Sequence, residues 1–132
     1  MNIIFGTPDE IAQLRERFVV LELDTFRTVG GATHTVYGLV ENIPLADFPI
    51  LASYMQVHHD LMQAYRNQNW QYCRSALDGL HGRWNGELDS FYQDLARRVI
   101  EFEQDPPSAD WDGTRVTSFL EPTQVISADT QN

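Results

Sequence analysis

The chain has 132 residues, 42% of them apolar, with nineteen acidic side chains against nine basic ones for a formal net charge of −10. All nine bases are arginine, which excludes chemistry that needs a lysine, such as a Schiff base or a phosphate-loop ammonium, while the acidic balance repels phosphate backbones, so no nucleic acid is expected as partner. No apolar run approaches the ~20 residues of a membrane span, and one cysteine, Cys73, excludes an internal disulfide framework.

The opening "MNIIFGTPDE" carries no basic region followed by a long apolar core, so no secretory leader is expected. It divides instead into a short apolar strand at Asn2–Phe5 and a helix. Thr7 caps that helix, Pro8 suits its first turn, and Glu10 completes a capping box. Ile11, Leu14 and Phe18 supply its inward stripe. The segment "FVVLELDTF" then alternates, with Val19, Leu21 and Leu23 on one face and Phe18, Val20 and Glu22 on the other, as a strand does. After Gly30-Gly31 the stretch "THTVYGLVE" is again strand-like, so the two form an antiparallel hairpin.

From Asp47 the period changes from two to three and four. Leu51, Tyr54, Met55, His58, Leu61, Met62 and Tyr65 mark one inward helix face reaching about Asn67. Asn69 is placed to cap a second helix, whose stripe is Trp70, Cys73, Leu77, Leu80 and Trp84. Asn85-Gly86 breaks it, and Leu88, Phe91, Tyr92, Leu95, Val99 and Phe102 line a third. "DPPSADWDG" ends helical structure, because consecutive prolines cannot continue it. The fold class is therefore α+β. Residues 1–46 form a small antiparallel β-α-β-β unit, 47–115 a three-helix, tetratricopeptide-like segment packed on it as one compact domain, and 116–132 an extended or flexible tail.

Two motifs together resemble a known family. The segment "IIFGTPDEIAQLRERFVVLELDTFRTVGGATHTVYGLVE" is similar to the end of the catalytic domain in class III adenylate and guanylate cyclases, through Ile3, Ile4, Leu14, Phe18, Leu23, Asp24, Val36 and Tyr37. The segment "AYRNQNWQYCRSALDGL…RRVIEFEQDPPSADWDG" resembles the helical tail that follows that domain, ending in Pro106, Pro107, Trp111, Asp112 and Gly113. The likeness spans about residues 3 to 115. It implies that nearly all of the metal-binding aspartates, the asparagine–arginine pair and the base-selecting residues of such enzymes lie upstream of the strand matching Ile3–Phe5. The family's hairpin lysine is also missing, its place taken by Thr28-Val29-Gly30-Gly31. Phosphoryl chemistry assisted by divalent metals needs such carboxylates and cations, so no enzyme is expected. A hairpin cut from a larger sheet also has open edges and an apolar face, which implies a homodimer or an unknown protein partner.

Other candidate residues each have a plainer explanation. His58, His59 and Asp60 are the one cluster with ligand chemistry, yet neighbours on a helix point in different directions, and His58 falls on the apolar stripe. Tyr37, Tyr65, Trp70, Trp84 and Trp111 are candidates for packing or a partner's contact, with Trp111-Asp112-Gly113 a turn that pins the chain onto the helices. Arg97 and Arg98 read as a solvated face or as partners of carboxylates. No cofactor is expected. The function these features imply is a non-catalytic interaction or regulatory module, acting by self-association or docking in the cytoplasm. The alternatives are a subunit completing a nucleotide-cyclase site in trans and a small-molecule binder.

Overall fold

Thr7 does what its spacing to Glu10 predicts. Its hydroxyl accepts from the Glu10 amide while the Glu10 carboxylate accepts from the Thr7 amide, at 3.2 and 3.0 Å, and helix α1 runs from Pro8 to Arg15. The computed structural model describes residues 1–41, 43–116 and 126–127. Over these the chain is an α+β protein that divides into two units: Met1–Glu41 with the segment from Thr114 onward, and Asn42–Gly113 between them.

In the first unit, strands β2 (Val19–Arg27) and β3 (Thr33–Val40) form the expected hairpin. Its joint is held by the Thr28 amide donating to the Ala32 carbonyl at 3.0 Å, and Gly31 takes a φ of +87° that favours glycine. β1 (Asn2–Ile4) pairs antiparallel with β3. The register between β2 and β3 shifts between Glu22 and Asp24, a bulge at the Leu23-Asp24 pair. Beyond it Asp24, not Leu23, lies opposite Val36, an interruption that strict alternation does not announce. Ile4, Ile11, Val20 and Leu39 form the core under α1, with Leu14 and Tyr37 packed against it. Val19, Leu21, Val36 and Val40 belong by register to the opposite face, and they too are buried.

The edges of this sheet differ from the expectation of an unfinished one. β4 (Thr114–Val116) lies parallel to β2, and β5 (Ile126–Ser127) lies antiparallel to β1, giving the order β4-β2-β3-β1-β5. The inner strands are thus flanked by the chain's own later segments. Of the tail assigned to 116–132, Val116, Ile126 and Ser127 are the described residues, and Thr114 and Arg115 of β4 fall in the segment that the sequence assigned to the helices; residues 117–125 and 128–132 lie outside the described residues.

The second unit begins with a 3-10 turn at Leu45–Ile50, followed by α2 (Leu51–Arg66), α3 (Trp70–Leu80) and α4 (Asp89–Gln104). Pro49 has no amide proton, so the stretch from Asp47 does not join α2 as one continuous helix. Asn69 caps α3 as predicted, accepting from the Tyr72 amide at 3.3 Å. Leu61, Met62, Tyr65, Cys73, Leu77, Leu80, Leu88, Leu95 and Val99 are buried along the predicted stripes. The inward face of α2 is shorter than its periodicity implies, because Met55 is 36% exposed.

Candidate functional site

Three arrangements in the helical unit gather the residues that carry chemistry. The first is a buried chain of polar groups. Trp84 donates its indole N–H to the Tyr92 hydroxyl at 2.9 Å, and the same hydroxyl is hydrogen-bonded to Nδ1 of His58, also at 2.9 Å. Residues 84 and 92 are brought together by a sharp reversal, in which Gly82, Trp84 and Asn85 all have positive φ. Burial pushes the His58 imidazole down to about 4, with the charge of neighbouring His59 acting in the same direction. Burial also pushes the Tyr92 phenol up, against the pull of the Trp84 hydrogen bond. Both groups are therefore neutral near pH 7.

His59 is exposed and Asp60 accepts from the Gln56 amide at 2.9 Å, so the His58, His59 and Asp60 candidates do not converge. No group of three or more His, Cys, Asp or Glu among the described residues is placed to hold a metal ion. Cys73 is buried, which pushes its thiol up to about 11; a thiol so protonated is a poor nucleophile at neutral pH.

The second arrangement is aromatic. Tyr65 of α2, Trp70 of α3, Phe102 of α4 and Trp111 beyond it meet with ring centroids 5.2 to 6.2 Å apart. This is the turn that pins the chain onto the helices, and it depends on Gly113. There φ is +90°, and a Cβ would stand 2.7 Å from Cγ of Arg66. Arg98 closes the box: its guanidinium lies 6.0 Å from the Tyr65 ring centroid and donates to Asp94 at 2.7 and 2.9 Å.

The solvated face expected for both arginines holds for Arg97 alone, which is exposed and paired with Asp94 and Glu101. Arg98 is buried. The difference follows from α2 packing across α4 at Tyr65, which receives a hydrogen bond from Arg98 at 3.3 Å. Burial raises the Asp94 carboxyl, but the hydrogen bonds and charges of Arg98 and then Arg97 outweigh it and hold it below its usual range. In the sheet unit, Tyr37 lies half-buried against the core, with the Arg15 guanidinium 5.7 Å from its ring centroid. Tyr37, Tyr65, Trp70, Trp84, Arg98 and Trp111 all make packing contacts within their own units.

The third arrangement faces outward and was missed in the sequence. Leu45 is 80% exposed, Phe48 53% and Ile50 41%, and they run directly into Met55 on α2. Leu45 and Phe48 stand one 3-10 turn apart and so share a side. The exposed positions of α2 continue the strip as Ala52, Ser53, Met55, Gln56, His59 and Gln63, none of them formally charged. On α3 and α4 the exposed positions include Arg74, Asp78, Arg97, Glu101 and Glu103. The usable signal lay in "NIPLADFPILASYMQVHH", eighteen residues with one carboxylate and no arginine in a chain of net charge −10.

No protein-family profile, curated protein or solved structure matches the chain.

Proposed function

We propose that this protein is a non-catalytic interaction module that docks through the strip from Pro44 to Gln63. The observation that carries the reading is the exposure of Leu45, Phe48, Ile50 and Met55 on a face stripped of charge. Contiguous exposed apolar patches larger than a few hundred Å² mark interaction sites, and depletion of charge is the compositional sign of an interface centre. The side chains with nucleophilic or acid–base chemistry support the same reading. His58 and Cys73 are buried with their neutral forms favoured, so both serve packing. The likeness to the end of a class III cyclase contributes one implication, a segment that acts beside catalysis without performing it. Docking is assigned to the helical strip rather than to the sheet, because the edges of β1 and β2 already have strand partners.

A photo-crosslinking residue at position 48 or 55 of the full chain tests this reading, with position 100 on α4 as control, since Ile100 is itself 55% exposed. Covalent adducts with protein from positions 48 and 55, and none from 100, are expected in cells. Equal labelling from all three positions, or none from any, would refute docking through the strip.

A further inference from the structure

We infer that the occupant of this strip is a second copy of the same chain, packed about a two-fold axis near Met55. The inference rests on the docking role proposed above and names the partner.

An interface between identical copies is isologous, so each residue near the axis meets its own equivalent. Charges there would meet like charges, which for a chain of −10 means mostly carboxylate against carboxylate. The strip comes close to this requirement: its exposed residues carry no formal charge, and its two carboxylates, Asp47 in the 3-10 turn and Asp60 on α2, are half-buried, with Asp60 accepting a hydrogen bond from the Gln56 side chain. A basic partner would gain nothing from this face, because attraction to it lies in acids placed elsewhere on the molecule.

α2 has 16 residues, about 24 Å of helix. With the axis near Met55, two copies of α2 run antiparallel. Ala52, three residues before Met55, then lies opposite the region of His59 in the second copy, so the uncharged exposed faces of the two helices meet. At 36 to 80% exposure the four large apolar residues present roughly 400 Å², about half of the ~800 Å² that each partner gives to a standard interface.

The test is sedimentation equilibrium of the full chain from about 1 µM to 500 µM, with F48E, M55E and the control I100E. A mass rising toward two copies is expected for the native chain and for I100E. Each strip variant, checked for native circular dichroism, is expected to weaken association at least tenfold. Added salt screens the repulsion between two acidic copies, so association is expected to tighten between 20 and 500 mM NaCl. A monomer throughout the range, or a dimer that survives both F48E and M55E, overturns the inference. Crosslinking separates the two levels. A monomer that still labels another protein from position 48 refutes only the second copy; a monomer with no such labelling refutes the docking role as well.

Discussion

A proton reaching His58 has to enter a site closed by the Tyr92 hydroxyl and the ring of Phe91, whose centroid is 6.3 Å away. Folded His58 stays neutral down to about pH 4, whereas in the unfolded chain it takes up a proton near 6.5. Between those values unfolding binds a proton, so stability falls as pH falls, by at most about 3 kcal/mol. Urea midpoints measured from pH 7.5 to 5 should decline for the native chain, and His58→Gln should flatten that decline. Arg97 and Arg98 separate in the same kind of measurement. Asp94→Ala leaves the buried Arg98 short of its carboxylate and is expected to cost about 2 to 3 kcal/mol, below the full value for a buried pair because Asp94 is itself partly exposed. Arg97→Ala removes an exposed, solvent-screened pair and should leave the urea midpoint almost unchanged. Adjacent residues of the same type thus differ in weight because one faces α2.

At the scale of elements, the turn at Trp111–Gly113 is the joint that a single substitution tests best. Gly113→Ala combines a left-handed φ with a Cβ driven into the Arg66 side chain, and about 2 kcal/mol of destabilisation is expected. Trp111 fluorescence should shift as its box with Tyr65, Trp70 and Phe102 loosens. The helices and the hairpin were legible in the sequence because local chemistry marks them: a capping box at Thr7, a cap at Asn69, stripes of Leu and Val at helical spacing. The Trp111 turn was legible for the same reason, from Pro-Pro and Gly. β4 and β5 were not. Strands of three and two residues carry no period of their own; they form where the exposed edge of a neighbour accepts them. The bulge at Leu23-Asp24 was hidden because both residues fit the alternation equally well on paper. Met55 was misplaced because periodicity names the face that would be buried without saying how far along the helix its cover extends. Of the candidate docking strip, the charge-poor window could have been read from composition, while its exposure could not.

At the scale of the molecule, the sheet takes strands from both sides of the helical unit in sequence. Ending the chain after Gly113 would remove β4 and β5 and leave the edges of β2 and β1 without their partners. Open edges of this kind pair with other chains. The shortened protein is expected to keep the ellipticity of α2, α3 and α4 while light scattering reports aggregation. Retention of a stable, unaggregated sheet would show that β4 and β5 are ornamental.

That same order sets a schedule for synthesis. The hairpin of β2 and β3 leaves the ribosome with Val40, but its parallel neighbour does not appear until Thr114. At about 5 to 20 residues per second the wait lasts several seconds, far longer than a helix or hairpin needs to form. During that interval α2, α3 and α4 are completed in turn, while a hairpin with an unclaimed β2 edge awaits its later strand. A polysome-bound chain is thus at its most vulnerable to a neighbouring nascent copy before the final segment emerges.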